Sequence, residues 1–422
     1  MSPAAARLET GQSHPAGSHK FVLLGLLVVS ICINYIDRAN LSAAAEGLSR
    51  ELILNPKQMG LLLSSFFISY AFFQIPSGWI IDRFNVFWVY AIGYFVWSSA
   101  TALTGLANSY NVIFGLRLLL GMAEACAYPS YSKIIASSFS EHERGMPNAL
   151  IDAGSKTGPA LGLLIGGSIV AGYGWRSMFL VIGCVSLLWL VPWLIAIRNE
   201  KTKHCSPALG GPCPGILEIF SKRSAWGTFV GLLGANYAWY FLLSWLPSYL
   251  IRERHFSQSL MSTAGSIPFW GVAISSLFGG WMSDRLIRRG ASVTRVRKGF
   301  VICGLLGATL LLPAAMVEGQ KLALVLLTIA CLSYGLYSSN MWAITQTLAG
   351  PSAAGKWTGI QNTFGNVAGI LAPNITGWIV NETHSFYYAF VFVCGALVLA
   401  AGSFALIVGD LKPVVWLHGK VD

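Results

Sequence analysis

Six ionisable residues stand where such residues are rare. Asp37, Arg38, Arg117, Glu124, Asp152 and Lys156 each lie well inside a long apolar stretch of a 422-residue chain that is 55% hydrophobic and 11% charged. Their charges cancel, with three cations set against three carboxylates. Near the centre of a bilayer each would cost at least ~2.5 kcal/mol, so each must face a cavity or a partner. A carboxylate in such a place can take up and release a proton, and a guanidinium can grip a carboxylate through two parallel hydrogen bonds. The chemistry on offer is ionic: proton binding, anion binding, or a permanent set of ion pairs fastening one helix to another. Enzyme chemistry lacks its parts. His14, His19, His142, His204, His255, His384 and His418 all fall in polar loops or tails, so no intramembrane base or metal cluster is available and no catalytic residue is expected. The eight cysteines show neither zinc-ligand spacing with His nor a disulfide frame, so no metal and no cofactor are expected.

The elements that position these six residues follow from hydropathy. Mean hydropathy is +0.61, and ordinary soluble domains carry about 25% charge. Apolar segments run over 21–45, 58–81, 87–107, 111–135, 146–171, 176–197, 225–251, 259–283, 299–317, 322–349, 357–380 and 386–409. At roughly 20 residues per span they predict an all-α membrane protein of twelve transmembrane helices. The first twenty residues are polar and read as a tail, not a cleaved leader. If that tail is cytoplasmic, the loops on its side carry most of the cations, among them Lys20, Arg83, Lys133, Lys201, Arg288 and Lys356. The other side keeps only Arg50, Lys57, Arg176, Arg252, Arg254 and Lys321. That bias places both termini in the cytoplasm, and the net charge of +11 reports topology, with no nucleic-acid partner implied. The expected organisation is a tail (1–20), a six-helix bundle (21–197), a basic Gly/Pro-rich linker (198–224), a second six-helix bundle (225–409) and a tail (410–422). The two halves echo each other, since Gly78-Trp79-Ile80-Ile81-Asp82-Arg83 recurs as Gly280-Trp281-Met282-Ser283-Asp284-Arg285. Duplication of a six-helix unit is a transporter architecture.

The Gly78, Asp82 and Arg83 pattern between helices 2 and 3 resembles the signature of the major facilitator superfamily. The resemblance implies two pseudo-symmetric bundles rocking about a central site, with Asp82, Arg83, Asp284 and Arg285 as gating residues. After Arg83 the usual basic continuation is replaced by Phe84-Asn85-Val86-Phe87, which weakens the first gate. A narrower resemblance rests on Asn34-Tyr35-Ile36-Asp37-Arg38-Ala39-Asn40-Leu41-Ser42 in helix 1 and on Arg117 to Pro129 in helix 4. Both are similar to the anion:cation symporter family, which includes bacterial galactonate, glucarate and hexuronate carriers. That resemblance implies that Asp37 and Glu124 are the protonatable pair. It maps the neighbouring arginines onto Arg38 and Arg117 and turns Tyr237 and Tyr240 of helix 7 toward the cavity, and Tyr35 of the same helix 1 motif is a further substrate-binding candidate.

The residues themselves allow a mechanism. Protonating Asp37 and Glu124 leaves Arg38, Arg117 and Lys156 opposed only by Asp152, a pocket made ready for an anion. Asp152 and Lys156, four apart in helix 5, can pair with each other, or Lys156 can reach substrate near the midplane beside Ser155. The interiors of the second-half helices hold no Asp, Glu, Lys or Arg but do carry neutral amides and tyrosines, of which Gln361 and Asn362 are the first candidates to read a polyol tail. The expectation is a proton-coupled symporter importing an organic anion, a sugar acid first (aldonate, aldarate or uronate). Aromatic or short dicarboxylic acids, or an uncoupled facilitator, are the alternatives. The expected partners are the small-molecule anion and the lipid bilayer, the coupling ion is the proton, and the chain is expected to work as a monomer in a bacterial inner membrane.

Overall fold

The computed structural model describes residues 17–139, 145–198 and 215–416, and the described residues form helices without a strand. The helices α1 (Gly17–Leu52), α2 (Pro56–Arg83) and α3 (Val86–Thr104) open the first bundle. The fourth, α4, runs over Tyr110–Glu124, slips at Ala125 and Cys126, and resumes as Ala127–Ser138. The fifth and sixth share one long stretch. Gly145–Leu161, a wide turn at Gly162–Gly166 and residues up to 173 form α5, and residues from 175 through Leu190–Ile197 form α6. In the second bundle α7 is Arg223–Arg252, α8 is Gln258–Arg288, and α9 joins Val293–Ala308 to Leu311–Met316. Helices α10 (320–349) and α11 (351–383) lie in the continuous stretch Gln320–Thr383, and α12 is Tyr387–Gly402.

Among the described residues nine helices are long and apolar enough to cross a membrane. One of them, Leu150–Ile197, holds two spans, and α2 and α11 complete the twelve. Where separate helices with short loops are expected, α5 to α6 and α10 to α11 each turn on a single glycine. Gly174 (φ +81°) and Gly350 (φ +66°) take the left-handed backbone that other residues pay to adopt. The start of α2 is set by Asn55, whose side chain accepts from the Gln58 amide while Gln58 answers at the Asn55 amide, with Pro56 in the first turn. The helix α1 runs past the expected end at residue 45 to Leu52, carrying Glu46 and Glu51 with it.

The two bundles touch most intimately where α2 meets α11. A Cβ on Gly60 would stand 2.6 Å from the Pro373 carbonyl, and one on Gly377 would stand 2.6 Å from that of Pro56, so only glycine lets these backbones pass. Large apolar side chains such as Phe72, Ile92, Val185 and Leu399 are exposed on the outer faces, as a bilayer solvent requires.

Candidate functional site

The two charged helices meet near the middle of their lengths. Arg38 of α1 donates from Nε to Glu124 Oε2 of α4 at 3.1 Å, with side chains 2% and 0% exposed. The Arg38 guanidinium lies over three rings, Tyr35 at 4.6 Å, Tyr70 at 4.8 Å and Phe66 at 4.9 Å, while Arg117 lies over Phe66 at 5.3 Å. Asp37 Oδ1 accepts from Asn40 at 3.3 Å. Four further polar atoms of this group, Asp37 Oδ2, Glu124 Oε1, Arg38 Nη2 and Arg117 Nε, are buried and have no hydrogen-bond partner among the described residues. Each such group costs about 1–3 kcal/mol when left unsatisfied, more when charged, so the cluster is poised to take up another ligand. The site exists because α4 can press against α2. Any Cβ on Gly121 would collide with the Phe66 carbonyl and the Ser69 hydroxyl.

Other residues expected at the site divide into two sets. Tyr35 and Tyr128, both half-buried, share a hydroxyl–hydroxyl contact of 3.1 Å. Tyr240 of α7 reaches across the bundles, its ring 4.5 Å from Phe67, and donates to Asn366 Oδ1 at 3.2 Å. Half-buried Lys156 sets its ammonium 5.1 Å from the centre of the Trp239 ring of α7. Among the described residues no ion pair joins Lys156 to Asp152, because the aromatic face across the bundle interface takes the ammonium instead. Asn362 is half-buried. The second set is placed elsewhere. Gln361 is fully buried, accepts from Thr345 Oγ1 at 2.7 Å and donates to the Thr228 carbonyl at 3.4 Å, a helix-to-helix tie. The Ser155 hydroxyl donates to the Asp152 carbonyl of its own helix at 2.7 Å. Tyr237 packs on Phe392 of α12 at 5.1 Å.

At the expected gate the repeat is visible in three dimensions. Arg83 lies over Trp79 at 5.4 Å and Arg285 over Trp281 at 5.2 Å, the same one-turn stack in each bundle. Asp284 faces Arg297 at 3.8 Å, and the Asp82 side chain falls outside the described residues. Ties that sequence reasoning did not single out lie at the opposite end of the bundles. Glu46 of α1 accepts from Arg252 Nε of α7 at 2.6 Å, and Gln258 donates to the Ala43 carbonyl at 3.1 Å. Ser64 donates to the Ile370 carbonyl at 3.0 Å, and Ser168 and Ser262 approach at 3.4 Å. Among hydrogen bonds between described residues, every one that crosses the bundles is of this set. Glu46 and Arg252 stand just past the apolar ends of helices 1 and 7, and the other ties are made by neutral side chains that carry no mark in the sequence. The expected linker falls largely on residues outside those described.

The family model of the Major Facilitator Superfamily matches residues 27–373. "Probable galactarate/D-glucarate transporter GarP" of Escherichia coli K12 is 30% identical over 96% of this chain and 98% of its own length. The D-galactonate transporter of Escherichia coli O6:H1 is 29% identical over 94% and 97%. "Probable sulfoacetate transporter SauU" of Cupriavidus necator is 28% identical over 94% and 95%. Among solved structures, a bacterial homologue of the human lysosomal transporter Spinster, inward-facing and unoccupied, superposes with a TM-score of 0.80 at 19% identity over 93% of this chain and 98% of that one. A twelve-helix duplicated fold, a buried charged cluster and these relatives agree: the chain is a multi-pass membrane transporter, not an enzyme, and belongs to the Major Facilitator Superfamily.

Proposed function

We propose that the protein is a proton-coupled symporter that imports an organic anion, a sugar acid first, by alternating access. One observation carries this reading: Arg38 and Glu124 are hydrogen-bonded near the middle of their helices while Arg38 Nη2, Glu124 Oε1, Asp37 Oδ2 and Arg117 Nε have no hydrogen-bond partner among the described residues around them. Protons arriving at Asp37 and Glu124 neutralise the carboxylates and release the guanidiniums, and the substrate carboxylate takes their place in bidentate geometry. Tyr35, Tyr240, Lys156 and Asn362 contact the rest of the substrate. The names of the relatives, given to carriers of galactarate, glucarate and galactonate, support a polyhydroxylated acid. The sulfoacetate relative, with the rings stacked on Arg38, supports a short or aromatic acid as the second reading. The protein acts as a monomer in a bacterial inner membrane with both termini cytoplasmic, and Asp82, Arg83, Asp284 and Arg285 act at the cytoplasmic gate. On that orientation the Glu46–Arg252 pair closes the external face.

The test is uptake into proteoliposomes of labelled sugar acids, short dicarboxylates and aromatic acids, with and without an inward proton gradient, by the native chain and by Asp37→Asn. Accumulation of one acid only with the gradient, with Asp37→Asn keeping exchange and losing accumulation, is the expected result. Uptake indifferent to the gradient makes the protein a facilitator and Asp37 a structural residue.

A further inference from the structure

Asp37 and Arg38 are neighbours in sequence and so point about 100° apart around α1. Arg38 turns toward the rings of α2, Phe66 and Tyr70, on the side where α7 brings Tyr240. Asp37 turns the other way, into the first bundle, where α3 and α4 close over it. On that side most of the buried polar atoms that lack a protein partner, among the described residues, are gathered. They include both side-chain atoms of Asn34, the hydroxyls of Tyr94, Ser98 and Thr101 on α3, and that of Ser130 on α4. All five residues are at most 1% exposed. Three of them face the carboxylates: Thr101 and Tyr94 approach Asp37, and Asn34 approaches Glu124.

This cluster of polar groups has a floor and a wall. Below, Tyr90 donates to Ser30 at 2.7 Å and meets the Tyr131 hydroxyl at 2.9 Å, closing the gap between α1, α3 and α4 with satisfied groups. Outside, Tyr94 stacks on Trp189 of α6 at 4.2 Å and leans on Trp97 at 4.5 Å, sealing the bundle from lipid. So many unpaired donors and acceptors in one sealed place satisfy the requirement of buried water, which takes two to four polar partners for each molecule. A dry pocket would instead leave each group to cost about 1–3 kcal/mol.

We propose that α1, α3 and α4 enclose a water-holding pocket, separate from the substrate cleft, through which protons pass between Asp37 and Glu124. The inference rests on the symporter reading and adds a route to it. Glu124 stands at the boundary, bonded to Arg38 on the cleft side and approached by Asn34 on the pocket side. The titratable groups facing Asp37 are Glu124 and Arg117 of α4 and Tyr94 of α3, and those facing Glu124 are Asp37 and Arg38 of α1, Tyr70 of α2, and Arg117, Cys126 and Tyr131 of α4. In the step itself the O–H bond of a protonated Asp37 breaks, its proton joins a pocket water, and that water gives up another proton to the Glu124 carboxylate. No electrons change hands. Coupling protons then reach Glu124 without displacing the substrate from the guanidiniums.

Two measurements test it. A high-resolution experimental structure of the native chain is expected to show ordered water within hydrogen-bond reach of Tyr94, Thr101 and Asn34, and a pocket empty of water density overturns the proposal. In proteoliposomes the double variant Tyr94→Phe with Thr101→Val is expected to slow gradient-driven uptake about tenfold while substrate exchange stays within about twofold. Equal losses in both, or no change in either, overturn the relay, and the melting temperature of the variant separates a misfolded chain from a true split. A native chain whose uptake ignores the gradient overturns the symporter reading together with the proton step, whereas the water density still decides whether the pocket holds water.

Discussion

Glu46 and Arg252, 206 positions apart in the chain, meet through a 2.6 Å ion pair that ties α1 to α7 across the two bundles. The glutamate is nearly buried and the arginine side chain is 29% exposed, so solvent screens part of the interaction. Glu46→Gln is expected to weaken the closed end by about 1 kcal/mol, which raises the population open there about fivefold. A cysteine placed near Ala43 and labelled with a membrane-impermeant thiol reagent should then react faster by that factor. Unchanged labelling would show that the other contacts at this end, the α2 to α11 packing with the Gln258–Ala43 and Ser168–Ser262 ties, hold it shut without the ion pair.

Arg38 tests shape against charge. Lysine at this position keeps the cation and loses the planar fork that reaches Glu124 and lies over Tyr35 and Tyr70. Arg38→Lys should lower uptake at least about tenfold in a folded, membrane-inserted protein. Retention of uptake within twofold means that a point charge suffices and that bidentate recognition plays no part.

Gln361 and Asn362 are adjacent but differently employed. Gln361→Ala removes the two hydrogen bonds that tie α11 to Thr345 of α10 and to the Thr228 carbonyl of α7 in a sealed core, so thermal unfolding in detergent should show a loss of about 1–3 kcal/mol. Asn362→Ala should leave that transition in place and raise the apparent KM. Reversed outcomes would exchange the roles assigned to the two amides.

Lys156 reports on occupancy. Its ammonium rests on the Trp239 ring, a contact worth about 0.5–2 kcal/mol, and a carboxylate arriving in the cleft competes for it. Lys156→Met is expected to raise KM about tenfold with folding intact. Trp239 fluorescence should shift on adding substrate to the native chain and stay constant in the variant. A shift that survives in Lys156→Met rules out this competition.

Hydropathy located all twelve spans because a bilayer imposes one length and one composition on each, but it could not foresee where loops vanish. Gly174 and Gly350 look like ordinary glycines until the φ angles place them at the turns. The charged cluster was legible because Asp37, Arg38, Arg117 and Glu124 are expensive in apolar segments, and the cost points to a partner. Neutral residues carry no such mark. Gln361 and Tyr237 have the same composition signal as Asn362 and Tyr240, and only packing reveals that the first two are spent on helix contacts. The Glu46–Arg252 pair escaped because each residue lies just past an apolar end, where a charge is cheap and therefore uninformative.

The confinement of interior charge to one bundle has an electrical consequence. A unit charge moved across the membrane potential gains or loses about 2.3 kcal/mol per 100 mV. The six interior charges sum to zero, and all belong to the first bundle. An empty carrier that returns with its carboxylates ionised therefore moves almost no net charge through the field, and voltage acts on the loaded step alone. Current measured on a planar membrane should thus count the protons carried beyond those that neutralise the substrate.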